Sequence, residues 1–307
     1  MSTSVGTQAL SHQSWEYERP APGGIVVGVD GSRQSIAALN TAASIARRRH
    51  CALHVVTVLP PFPSYHINPG ADDSRENVNQ LRVNLKDSEL REIMKGIEPE
   101  EGWTHEVVVG RVARVVAAIA EARAAELVVM GRRRHGAMDR VLGGETTLQV
   151  MRLSTVPVLG VDADLDETRI AGVATDFSPG SIEAAKTAVS LLGTTGTLYL
   201  TYVEPPVELL PHGFSLPAET RFPGDVVVWF RRLTSELVTH PGILVEPIVL
   251  NGRPVPAVLE FADRVGADLI AAGSHGHSRM ERFLLGSVST GLVRNATCAV
   301  MVVPPRN

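Results

Sequence analysis

Four residues in the last sixth of the chain have types and spacing suited to binding an anion: Gly273, Gly276, Gly286 and Ser287, in the arrangement G-x-x-G-x9-G-S. They follow the apolar run Leu269 to Ala272. Glycine reaches φ > 0 and carries no side chain, so backbone N–H groups can close on a phosphate. A helix opening at Gly286-Ser287 would add its N-terminal amides and the positive end of its dipole. Taken alone, the pattern fits a plain strand-to-helix turn equally well. The chain, however, carries a second, altered copy.

That copy belongs to an internal duplication. Val26-Val27-Gly28-Val29-Asp30-Gly31-Ser32 resembles Gly172-Val173-Ala174-Thr175-Asp176-Phe177-Ser178, each an apolar run ending in Asp and a small polar residue. Leu53 to Pro61 matches Leu198 to Pro206, and Gly110-Arg111 matches Gly252-Arg253. Gly110 is as far from Gly131 as Gly252 is from Gly273, and Ser154 to Leu159 echoes Ala296 to Met301. Apolar runs alternate with helical spacing, Ile36, Leu39, Ala43 and Ala46 in one half and Ile182, Ala185, Val189 and Leu192 in the other. Each half therefore reads β-α-β-α-β-α-β-α-β, a parallel sheet covered on both faces. Around Asp73 to Met94 the second helix is highly charged, while Val226, Phe230, Leu233 and Leu237 keep helical spacing in the second half. The Pro-rich segments Pro60 to Asp72 and Pro205 to Pro223 read as loops over the carboxyl end of the sheet. Ligands of open α/β sheets bind at that end, between the first and fourth strands. Asp176 and Gly273 are thus expected to face one crevice.

Length and composition set limits on these readings. A chain of 307 residues, 44% hydrophobic and 20% charged, predicts about two domains of ~150 residues each. A net charge of -4 argues against a general nucleic-acid-binding surface. Arg132-Arg133-Arg134 reads as a solvated loop. The two cysteines, Cys51 and Cys298, head apolar runs and read as buried reduced thiols, with no metal-ligating Cys/His cluster. Residues 1–22 are polar, lack the apolar stretch of a secretion signal, and read as a disordered extension. No run approaches the roughly 20 apolar residues of a membrane span, so a cytoplasmic protein without membrane contact is expected. No Walker lysine motif and no G-x-G-x-x-G fingerprint is present. His275 and His277 read as a solvated rim, and no catalytic residue is assigned.

The Asp after the first strand, the strand ending at Val203, and G-x-x-G-x9-G-[ST] after the fourth strand together resemble the universal stress protein family. The similarity runs from about Gly23 to Pro305, and the chain looks like a tandem member with domains at 23–162 and 168–305. The resemblance implies two Rossmann-like domains of the adenine nucleotide alpha hydrolase-like type, each a five-stranded parallel sheet of order 3-2-1-4-5 with helices on both faces. It implies ATP, with or without Mg2+, as the ligand of members carrying the full glycine motif. It also implies either a homodimer or an intrachain pseudo-dimer, paired through terminal strands.

By the same resemblance, Gly273 and Gly276 shape the loop around the phosphates, and Ser287 with amides near Gly286 binds them. Asp176 and Thr175 hold the adenosine end, and Val203 packs against adenine. Asp176 also fits a helix N-terminal turn before Ser178-Pro179. In the first half Asp30, Val58, Gly131 and Gly144 keep their places, but Arg134 replaces the second glycine and Glu145 replaces the serine. A carboxylate there would satisfy the helix dipole itself and repel phosphate. One ATP per chain, in the second half, is therefore expected of a nucleotide-dependent regulatory module of the stress response. A slow ATPase or nucleotidyl-transfer enzyme on the same sheet stands as an alternative, as does an interaction protein independent of nucleotide.

Overall fold

A computed structural model describes residues 23–61, 72–133, 145–204, 226–237, 242–276 and 285–305. The first half runs β1 (Ile25–Gly28), α1 (Arg33–Arg49), β2 (Leu53–Leu59), α2 (Asp72–Lys95), β3 (Thr104–Val109), α3 (Val112–Ala122), β4 (Leu127–Gly131), α4 (Glu145–Leu153) and β5 (Val158–Val161). The second runs β6 (Thr168–Ala174), α5 (Pro179–Leu191), β7 (Leu192–Glu204), α6 (Val226–Leu237), β8 (Ile243–Asn251), α7 (Pro254–Val265), β9 (Leu269–Gly273), α8 (Ser287–Asn295) and β10 (Ala299–Val303). The expected alternation is present in both halves. The extension at 1–22, most of the segment Pro60 to Asp72, all of the segment Pro205 to Pro223, Arg134, Gly144 and His277 lie outside the described residues.

Strand order in each half is the expected 3-2-1-4-5, and the two sheets are continuous: β3-β2-β1-β4-β5-β10-β9-β6-β7-β8. Pairing is parallel within each half. It turns antiparallel only at the junction, where Gly160 faces Val300 and Val158 faces Val302. Both sides of β5 and of β10 are thereby occupied, and the terminal strands pair with each other within the chain. Strands buried on both faces need apolar residues at every position, and β1, β4, β5, β9 and β10 are such runs. One core lies under α1, α2, α5 and α6, the other under α3, α4, α7 and α8, and each spans both halves. The outer strand β8 contains Pro247, opposite Leu200 on β7, with no shift of register.

Local signals explain most boundaries. Ser32 and Ser178 cap α1 and α5, each accepting from an amide three residues on. Leu192, read as the last helical position of α5, is instead its extended C-cap and the first residue of β7. The linker between halves lies along α1, where Thr41 Oγ1 accepts from Leu165 N, Asn40 donates to Asp164, and Ser44 donates to the Asp166 carbonyl. Cys51 and Cys298 are free, as expected, but half-buried. Among the described residues no helix is long and apolar enough to cross a membrane.

One buried polar group gives the fold a pH dependence. His54 is 4% exposed, with Nδ1 2.7 Å from Thr104 Oγ1 and Nε2 2.6 Å from Glu106 Oε1. Burial pushes its pKa below the ordinary 6.5; the hydrogen bond to Glu106 opposes this and is outweighed. The folded state therefore holds the neutral ring, and the unfolded chain takes up the proton first. Stability from this site is complete above pH 6.5 and is lost as pH falls from there through the folded value. The urea midpoint of the wild type should fall as pH drops over that interval, and His54→Gln should flatten the slope. An unchanged slope would remove His54 as its source.

Candidate functional site

The site forms where β6 and β9 lie side by side and their chains leave in opposite directions. At the end of β6, Thr175 Oγ1 accepts from Phe177 N and meets Ser181 Oγ. Asp176 Oδ1 accepts from Ser178 N at 3.0 Å, closing a small turn over the start of α5. The residue between, Phe177, is buried with φ +61°, a left-handed conformation costly for a side chain with a Cβ. It is held by Tyr202, Trp229 and Phe230, whose rings lie 5.1 to 6.1 Å away. The first half places Gly31 there, at φ +87°. Tyr202 sits beside Asp176, and burial together with Glu204 and Asp176 raises its phenol pKa.

Across the crevice the glycines have separate reasons. A Cβ on Gly273 would stand 2.7 Å from the Gly180 carbonyl carbon and 2.8 Å from Ser181 N. Gly131 is equally confined, by Gln34 and Ser35. The first glycine thus lets a strand end pass the helix α5 or α1, which is why the first half keeps it while losing the second. Ser289 Oγ donates to the Gly273 carbonyl and Thr147 Oγ1 to that of Gly131, at equivalent positions. Gly276 is different: a Cβ there would lie 2.5 Å from Asp176 Oδ2, so its missing side chain keeps the loop against that carboxylate. Gly286 donates to the Ser274 carbonyl at 2.8 Å, pinching the loop at its base. It then serves as N-cap of α8 with no side-chain cap. The first-turn amides of α8 lack intrahelical acceptors, and Ser287 is exposed beside them.

These parts enclose a cavity of about 400 Å³. All seven residues singled out in the second half line it: Thr175, Asp176 and Val203 on one side, Gly273, Gly276, Gly286 and Ser287 on the other. Sequence reasoning missed Gly180, whose Cβ would lie 3.2 Å from the His275 carbonyl; a glycine just inside a helix was its signal. It also misread His275, which lines the cavity and is half-buried rather than on a solvated rim. Its Nδ1 meets Ser274 Oγ at 2.9 Å, while Nε2 is buried with no hydrogen-bond partner among the described residues.

The first half builds a different surface. Asp30 is exposed, and Lys86 from α2 reaches its carbonyl. Burial raises the Asp30 pKa, but hydrogen bonds from Ser32 and Ser35 and the charge of Arg133 outweigh it and lower the pKa overall. Val58 packs partly buried on its own sheet face. Arg132, expected in solvent, is 2% exposed and donates to three carbonyls of the second half. Their lone pairs, with Asp162 at 3.8 Å, replace the water a buried guanidinium loses. Nearby, burial raises the Cys298 thiol to about 11 despite Arg132, so it stays protonated.

In both halves a side chain at the first glycine would press on helix backbone. Gly131→Ala and Gly273→Ala should each cost about 1–3 kcal/mol, read as a lowered urea midpoint. No loss from Gly131→Ala would mean that the first half keeps its glycine for another reason.

The universal stress protein family model matches this chain twice, over residues 24–162 and 167–304. A universal stress protein of Mycobacterium tuberculosis is 30% identical over 305 residues, covering 91% of this chain and 94% of its own. One from Mycolicibacterium smegmatis is 29% identical, covering 92% and 97%. The crystal structure of a universal stress protein from Archaeoglobus fulgidus superposes with a TM-score of 0.65 at 20% identity, covering 93% of this chain and 99% of that one.

Proposed function

This chain belongs to the universal stress protein family, and we propose that within it the chain is a regulatory module that binds one ATP, in its second half. The observation that carries the reading is the convergence of Asp176, Gly276 and the uncapped α8 amides on one cavity. Three features suit a nucleotide: a carboxylate for ribose hydroxyls, apolar Val203 for a base, and a helix N-terminus for phosphates. The buried Nε2 of His275, which has no partner among the described residues, adds a polar atom to the phosphate loop.

In this reading ATP supplies the negative charge that the α8 amides and Ser287 receive. Gly276 and Gly286 keep Cβ atoms out of the cradle, and Gly180 lets the loop close on α5. Among the described residues no group of three or more His, Cys, Asp and Glu gathers to hold a metal. The first half takes no ATP, because its second motif glycine is Arg134 and its helix opens with Glu145.

Isothermal titration of the full chain with ATP should give one site per chain. Two sites would overturn the asymmetry. Gly276→Val should abolish binding, because its Cβ meets the Asp176 carboxylate, while the urea midpoint stays close to wild type. Retained affinity would remove the phosphate loop from this role.

A further inference from the structure

Arg132 has no place in the proposed nucleotide site, yet its guanidinium donates to three carbonyls across the junction between the halves. It follows Gly131 as Ser274 follows Gly273, and its amide donates to the Val161 carbonyl as that of Ser274 does to Val303. The two backbones are equivalent; the two side chains are not. Arg132 Nη1 donates to Val293 O at 2.9 Å and to Ala296 O at 3.1 Å, and Nη2 donates to Cys298 O at 2.7 Å. Val293 lies in the last turn of α8, Ala296 is its C-cap, and Cys298 leads into β10. Carbonyls at a helix C-terminus lack intrahelical donors, and a cation there offsets the negative end of the dipole.

The arrangement is one-sided. Ser274 stays in its own half, bound to His275. At the end of α4, the Val156 carbonyl equivalent to Cys298 accepts from the hydroxyl of Ser154. A guanidinium therefore braces one of the two equivalent helices, α8, whose uncapped N-terminus opens on the cavity. That helix has nine residues, about 13 Å at 1.5 Å per residue, so its two ends move as one body.

We propose that Arg132 is a positioning residue for the nucleotide site of the other half: by clamping the C-terminal end of α8 it holds the amides at the opposite end in place for phosphate. The altered loop of the first half thus supports the complete loop of the second. This inference rests on the reading of the α8 N-terminus as a phosphate site.

Titrating the full chain with ATP and with adenosine separates the phosphate end from the base end. Arg132→Met keeps the packed stem and removes the donors, and Arg132→Lys keeps the charge without the fork. ATP affinity should fall roughly fivefold to tenfold in Arg132→Met and less in Arg132→Lys, with adenosine affinity unchanged in both. An unchanged ATP affinity overturns the proposal, and so does an equal loss for ATP and adenosine, which marks a merely structural role. If the methionine variant fails to fold, the same comparison on Arg132→Lys decides. Absence of ATP binding by the wild type would instead defeat the reading of the site itself.

Discussion

Two parallel five-stranded sheets bring four open edges to a tandem chain, and the pairing of β5 with β10 closes two of them. The antiparallel register is short, Val158 to Gly160 against Val300 to Val302, yet both cores run through it uninterrupted. Apolar strands of this kind cannot be left at an edge without inviting further pairing. The junction also sets which side chains cross. Arg132 reaches α8 because β4 and β9 each lie one strand away from the seam, and the linker runs along α1 on its way to β6, which lies beyond both β10 and β9.

Symmetry at the junction makes the differences between halves interpretable. Equivalent backbone positions carry Gly131 and Gly273, held by the same contacts and tied by Thr147 and Ser289. What the halves share is therefore the minimum needed to pass a strand end beside a helix. What they do not share lies one or more residues further on: Arg132 for Ser274, Arg134 for Gly276, Glu145 for Ser287. At the other side of the crevice, Gly31 takes a left-handed turn freely, whereas Phe177 takes it under strain and is stabilised by three aromatic rings. Strain beside Asp176 is tolerated because that cluster is also part of the core.

Much of this was legible in residue spacing. Strand order brings first and fourth strands together and so puts Asp176 and Gly273 in one crevice, and the spacing of Val226, Phe230, Leu233 and Leu237 marks α6. The features that escaped depend on contacts between distant parts. A run of three arginines is ordinarily solvated, and nothing local tells that Arg132 has acceptors 161 to 166 residues away. His275 looked like a rim residue because its burial comes from the folded loop, not from its neighbours in sequence. Leu192 fits a helical stripe, but the helix ends there because the extended β7 begins.

The remaining edges of the sheet are β3 and β8. Proline is confined to outer strands because it has no N–H to give a neighbour, and Pro247 sits in the middle of β8 without disturbing its register with β7. A strand arriving from another molecule would meet an interrupted row of donors there. Duplication used the one strongly adhesive edge of each half inside the chain, and the proline blunts one of the two that were left. The ten-stranded sheet is thus finite on that side, a stopping point rather than the first layer of a fibre.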